Sequence, residues 1–253
     1  MNRRKFFKNG SLISLGATLL HPFNNAVNTI KYDIKNKKAK NIIIIVSDGM
    51  SIGTLNMTDL YLSRKMGTGT NWLQLYKENK INRALMDMAS ASSIVTDSAA
   101  ASSSWGGGVR INNGRLNVSK NGEEHLPIWQ KFKKAGKKAG CVTTVPITHA
   151  TPAGFCINSK SRNAQEKIAE KYLEQKFDVM MGGGDTYFSP EKRKDKKDMY
   201  KAFESKGYNV VKNRNEMFSA SIDKPILGVF DDNGLPYSID QQNNKELLQQ
   251  IPT

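Results

Sequence analysis

The chain has 253 residues, enough for one sizeable α/β domain with its own core, and its 38% hydrophobic and 24% charged residues are ordinary for a globular protein. That composition excludes a collagenous or disordered chain, and no apolar run reaches the roughly 18 residues of a membrane-spanning helix. The net charge of +15 invites a nucleic-acid reading, but the basic residues are scattered, as at Lys131, Lys133, Lys134, Lys137 and Lys138. Lys192-Arg193-Lys194 is interrupted by Asp195 and Asp198, and no basic stretch is interleaved with aromatics. Nucleic acid is therefore not an expected partner, whereas anionic small molecules suit such a surface.

In chain order, Arg3, Arg4, Lys5 and Lys8 precede the short apolar stretch Leu12 to Leu20. A basic start and a short apolar segment read as a signal peptide. Arg3-Arg4 followed by Phe6-Phe7-Lys8 resembles a twin-arginine signal, which implies export, already folded, to the periplasm or beyond. An amphipathic helix packed on the fold is the alternative. Residues 1–30 are accordingly set apart from the fold, with 41–253 as the domain. Asn28 to Lys40 reads as a linker.

Asn41-Ile42-Ile43-Ile44-Ile45-Val46 is a continuous β-branched run and predicts a strand buried on both faces, as in a parallel sheet. It leads into Ser47-Asp48-Gly49-Met50, at the end of the strand where α/β folds bind ligands. Gly106-Gly107-Gly108 reads as a turn. Leu126-Pro127-Ile128-Trp129 opens a helix with Pro near its first turn. Cys141 to Val145 predicts a strand, Ala164 to Gln175 a helix, and Phe177 to Met181 a strand closed by Gly182-Gly183-Gly184. A helix follows from Asp198 and stops at Gly207, with strands over Tyr208 to Val211 and Ile226 to Phe230 and a last helical stretch over Asn244 to Gln249. The alternation predicts an α/β fold with a mostly parallel central sheet flanked by helices. Cys141 and Cys156 lack the spacing of a metal clamp and read as small buried residues; a disulfide is the minor alternative. Neither triple glycine matches a nucleotide-binding fingerprint.

The most informative string is Val95-Thr96-Asp97-Ser98-Ala99-Ala100-Ala101-Ser102. It reads as a helix start, where free N–H groups and the dipole favour a bound anion. On this string alone an Asp-Ser cap before an Ala-rich helix is the favoured reading, since such caps are common. Three further strings decide between the two. Val95 to Ala100 resembles the nucleophile motif of the alkaline phosphatase family, and Val46-Ser47-Asp48-Gly49-Met50 resembles its first metal-binding strand end. Thr148-His149-Ala150-Thr151-Pro152-Ala153 resembles its magnesium-site segment, and Ser161-Arg162 its phosphate-binding arginine. The four motifs appear in the family's order, and the similarity runs from about residue 41 to the end.

The resemblance implies hydrolysis of phosphate monoesters on a site with two zinc ions and one magnesium ion. Ser98 would be the nucleophile, activated by zinc, and would pass through a phosphoserine intermediate. Arg162 would grip two phosphate oxygens through its planar fork, with Asp97 holding the guanidinium. Asp48 would bridge a zinc and the third site, and Thr151 would add an oxygen there. His149 stands where the best-known bacterial members carry Asp and others carry His, which leaves the metal of the third site open. His21 and His125 match no family ligand and read as solvent-facing or irrelevant to the chemistry.

The family's remaining ligands are three histidines, two aspartates and a glutamate in its carboxyl-terminal half. No histidine follows Arg162 in this sequence. The expectation is an amino-terminal portion of such an enzyme, inactive by itself, and a homodimer in the full-length form. Two other readings are kept: a phosphodiesterase or sulfatase relative, and a non-catalytic phosphate-binding module using Ser98 and Arg162 alone.

Overall fold

The structure is a computed structural model that describes residues 39–243, with side chains to residue 241. The signal reading of residues 1–30 and the helix expected from Asn244 lie outside the described residues. The chain divides into two compact units, residues 1–46 and 47–253. In the first, the described residues form neither helix nor strand. This corrects the strand expected over 41–46: Ile43 and Ile45 are 85% and 84% exposed. β-Branched residues favour extended backbone, but a strand exists only through a partner's hydrogen bonds, and the described residues of this unit form no ladder among themselves.

The second unit contains every regular element described. Helices α1 (Ile52–Met66) and α2 (Asn71–Lys77) come first. Ser51 caps α1 by accepting from the Thr54 amide, and Gly67, at φ +74°, closes it with a bond to the Ser63 carbonyl. Asp59 joins the pair by accepting from the amide and hydroxyl of Thr70, which caps α2. Neither helix buries a residue.

Helix α3 (Ser98–Gly107) follows its cap Asp97 and ends at Gly108 in the left-handed conformation. Gly106 and Gly107 are thus helical, which corrects the turn expected there. The reason is a crossing. Helix α5 (Ala150–Cys156) lies so close that a Cβ on Gly106 would meet the Gly154 carbonyl oxygen at 2.3 Å, and one on Gly154 would meet Ser102 Oγ at 2.0 Å. Small residues permit this approach and hydrogen bonds fix it. Ser102 Oγ donates to the Ala150 carbonyl at 2.9 Å. Buried Asn117 donates through Nδ2 to the carbonyls of Gly154 and Ile157, at 2.7 and 2.8 Å.

Between these helices stand α4 (Ile128–Lys134) and strand β1 (Gly140–Pro146). Then come α6 (Gln165–Gln175), β2 (Val179–Gly183), a 3-10 turn (Asp185–Tyr187), α7 (Met199–Ser205), β3 (Asn209–Val211), α8 (Arg214–Ser219), β4 (Ile226–Val229) and α9 (Ser238–Asn243). The strands form one sheet in the order β1-β2-β4-β3, and every pairing is parallel. The fold is therefore α/β with a parallel sheet flanked by helices, as expected. The core holds Ile147, Ile168, Tyr172, Phe177, Met180 and Leu227, all nearly inaccessible. Trp129 and Tyr172 meet Phe177 edge-on. The hydroxyls of Tyr172 and Tyr208 donate to the carbonyls of Ile147 and Phe177, so these rings bury no unpaired oxygen. Both cysteines are free, Cys156 buried and Cys141 half-buried. No described helix is long and apolar enough to cross a membrane.

Candidate active site

Three segments converge where α3 begins. The first is Asp97-Ser98 at its N-terminus. The second is the turn at Asn113-Gly114, and the third is the stretch from β1 through α5 to Arg162. Asp97 organises them with both carboxylate oxygens. Oδ1 accepts from the Ala100 amide at 2.9 Å, which caps the helix. Oδ2 accepts from the Gly114 amide at 2.9 Å and from Arg162 Nη1 at 3.1 Å. Asp97 thus caps the helix and anchors Arg162 at once. Ser98 is the first residue of the helix and is half-buried. Asp97 and Arg162 keep about a quarter of their side-chain surface exposed, so the pair is neither dry nor freely solvated.

The turn was not foreseen as part of the site. Arg162 donates its amide to the Gly114 carbonyl at 2.8 Å, and Asp97 donates its amide to Asn113 Oδ1 at 3.0 Å. Gly114 has φ +80°, a conformation L side chains rarely adopt. The Asn-Gly dipeptide is a turn signal, and was the one available clue.

His149 lies just after β1 and caps α5, and Thr151 sits in that helix's first turn. Arg162 Nη2 lies 3.1 Å from His149 Nε2. Thr151 Oγ1 donates to Asp48 Oδ2 at 2.7 Å. Every residue singled out from sequence (Asp48, Asp97, Ser98, His149, Thr151 and Arg162) thus falls in one locality or is bonded to a residue that does. Burial, then the Arg162 charge, hold the His149 pKa below the ordinary histidine range, and Asp48 offsets this only in part. The imidazole is therefore neutral near pH 7, the form that ligates metals. His125, read as solvent-facing or irrelevant to the chemistry, is half-buried in a short hairpin, with Nε2 2.7 Å from Ser119 Oγ.

The donors at this site fit a cation in kind. A carboxylate and a hydroxyl lie in contact beside a neutral imidazole, two hard oxygens and one nitrogen. They fall short in number: among the described residues, no group of three or more His, Cys, Asp or Glu side chains is placed to hold a metal ion.

The structure thus places Ser98 at a helix N-terminus, next in sequence to the Asp97 that pairs with Arg162. The family follows from sequence comparison. The alkaline phosphatase family model matches residues 39–252, and the chain belongs to that family. It is 32% identical over 210 residues to alkaline phosphatase 3 of Bacillus subtilis, covering 80% of this chain and 44% of that protein. Against the alkaline phosphatase of Escherichia coli it is 30% identical over 234 residues, covering 82% and 50%. The crystal structure of Thermus thermophilus alkaline phosphatase superposes with a TM-score of 0.73 at 38% identity, covering 81% of this chain and 42% of that one. A variant of alkaline phosphatase from the Antarctic bacterium TAB5, described as having Mg bound, matches with a TM-score of 0.62 at 26% identity, covering 71% and 51%. The chain thus spans about half the length of the relatives it matches.

Proposed function

We propose that this chain carries the nucleophile and phosphate grip of a phosphomonoester hydrolase. The observation that carries the reading is the Arg162–Asp97 contact of 3.1 Å, made by the residue next to Ser98. A phosphate monoester resists attack because its oxygens repel a nucleophile, so the site must present positive charge to those oxygens. Arg162 does so with a planar fork held in place through its own backbone and side chain. Its remaining N–H groups are free to take two phosphate oxygens. The N-terminus of α3 adds its dipole. The Ser98 hydroxyl attacks phosphorus, the ester oxygen leaves, and water hydrolyses the resulting phosphoserine.

Asp48 and Thr151, with His149 adjacent, would hold part of the metal complement of two zinc ions and one magnesium ion. When bound, those ions supply the positive charge that lowers the serine pKa and stabilises the leaving oxygen. A dinuclear zinc site needs about three or four protein ligands per ion. The described donors do not reach that number, so the chain alone is inactive in this reading. Export through a twin-arginine-type signal to the periplasm, and a homodimer in the full-length form, belong to the same proposal and rest on sequence resemblance.

Incubating the 253-residue chain with zinc, magnesium and a chromogenic phosphomonoester tests this. The expected result is no robust turnover. Robust turnover abolished by Ser98→Ala would overturn the incompleteness and keep the nucleophile. Turnover unaffected by Ser98→Ala would overturn the nucleophile itself.

A further inference from the structure

Three Asn-Gly pairs fall among the described residues: Asn113-Gly114, Asn121-Gly122 and Asn233-Gly234. In such a pair the following main-chain nitrogen can attack the asparagine carboxamide, because glycine has no side chain to shield it. Attack needs a carboxamide free to swing inward and an N–H free of other partners. The fold withholds both at two of the three pairs. Asn113 accepts at Oδ1 from the Asp97 amide and donates through Nδ2 to the Val95 carbonyl, each at 3.0 Å. The Gly114 amide donates to Asp97 Oδ2 at 2.9 Å. Asn121 accepts at Oδ1 from the Glu123 amide at 3.1 Å, and the Gly122 amide donates to the Ser119 carbonyl at 2.9 Å. The third pair differs. Asn233 is exposed and uses only its main-chain amide, which donates to Asp231 Oδ1 at 3.1 Å. Neither its carboxamide nor the Gly234 amide bonds to a described residue.

We propose that Asn233 is a site of spontaneous modification, converted through a cyclic imide to aspartate and isoaspartate, and that the fold protects Asn113 and Asn121 from the same reaction. The Gly234 nitrogen bonds to Asn233 Cγ, the bond from Cγ to the side-chain nitrogen breaks, and the Gly234 amide proton departs with that nitrogen as ammonia. Water, the one co-reactant, then opens the ring. Opening at Cγ leaves ordinary aspartate. Opening at the main-chain carbonyl leaves isoaspartate, whose main chain runs through one extra carbon. Both products add a negative charge beside Asp231 and Asp232. The isoaspartyl product also strains a turn that is tied down on each side. The Asp231 carbonyl accepts from the Gly184 and Asp185 amides at 2.9 and 3.0 Å, and the Asp232 carbonyl from Thr186 Oγ1 at 3.0 Å. The Leu235 amide donates to the Thr144 carbonyl, in β1, at 2.7 Å. Between these ties the Asn233 carbonyl oxygen packs so closely on Gly183 that a Cβ there would lie 1.7 Å from it. A longer main chain in this turn has no slack to occupy, so it loosens the ties to β1 or to the end of β2.

Ageing the full chain in neutral buffer, natively folded and in urea, tests this, with peptide mass mapping to follow each asparagine and isoaspartyl methyltransferase labelling to identify the product. In the folded chain Asn233 should lose its amide about tenfold faster than Asn113, the worth of roughly one hydrogen bond to a charged group, with Asn121 between them. In urea the three rates should converge, because the following residue is glycine in each. Asn113 or Asn121 reacting as fast as Asn233 in the folded chain would overturn the proposal. So would the same ranking in urea, since flanking sequence and not the fold would then set it. The consequence is read from the thermal midpoint, which should fall as isoaspartate accumulates at 233 and hold steady in Asn233→Gln aged alongside. Asn233→Asp, with the added charge but no added carbon, should fall less. An unchanged midpoint in fully modified protein would overturn the claim that the turn has no slack. The rates in the unsubstituted chain decide the modification itself, whether or not a variant at 233 folds.

Discussion

Helices α1 and α3 have similar local design and opposite fates. Both have a side-chain cap at the start and a left-handed glycine at the end. Helix α1 is longer and richer in large apolar residues, yet it buries none: Ile52, Met57, Leu60, Tyr61 and Met66 are all exposed. Helix α3, built from Ser, Ala and Gly with one Trp, buries six of its ten residues. Caps and composition make a helix, but burial depends on a distant partner with a matching surface. Here that partner is α5, and the fit works through small residues rather than large ones. An unpacked helix of fifteen residues is marginal in water. Amide exchange in α1 is therefore expected to be fast, and slow in α3.

The largest effect expected is at the α3–α5 crossing. Gly154→Ala places a Cβ 2.0 Å from Ser102 Oγ and should cost about 4 kcal/mol or more in urea denaturation. Asn117→Ala, which strips buried partners from the carbonyls of Gly154 in α5 and Ile157 just after it, should cost about 2–3 kcal/mol. A smaller effect, driven by pH, also belongs to the packed half. Arg193 is fully buried and pairs with Asp195, whose carboxyl the guanidinium holds down to about 2. A carboxylate with a depressed folded pKa contributes stability above its unfolded value, lost on acidification. Stability should therefore fall between about pH 3.8 and about pH 2, and Asp195→Asn should flatten that limb of the pH profile. The smallest effect is in α1. Gly53→Ala meets only Ser51 Oγ, at 3.4 Å, and should stabilise by about 0.5 kcal/mol. If Gly53→Ala and Gly154→Ala had equal effects, the contrast between the helices would fail.

The same contrast explains what was legible in the sequence. Strands β1, β2 and β4 were visible as apolar runs; the tight turn expected over Gly182-Gly183-Gly184 is confined to Gly184, at φ +107°, since Gly182 and Gly183 continue β2 and pair in the sheet. The helices over 165–175 and 199–205 were visible for similar reasons. The Ile42 to Val46 run was misread because a β-branched run reports extended backbone and not the partner a strand requires. Gly106 was misread because a glycine admitting a neighbouring backbone looks, in sequence, like one permitting a turn. At the site, the family's motifs supplied Asp97, Ser98 and Arg162. Gly114 went unseen because its contribution is made by backbone groups, and the His149–Arg162 contact because the spacing of two residues does not report on their approach in space.

The central claim is that Arg162 binds a phosphoryl group beside Ser98, and calorimetry with inorganic phosphate tests it most directly. Arg162→Ala should weaken binding about tenfold or more. Arg110→Ala, which removes an exposed arginine paired with Asp87, should leave binding unchanged. Equal affinity in the unsubstituted chain and in Arg162→Ala would contradict the account.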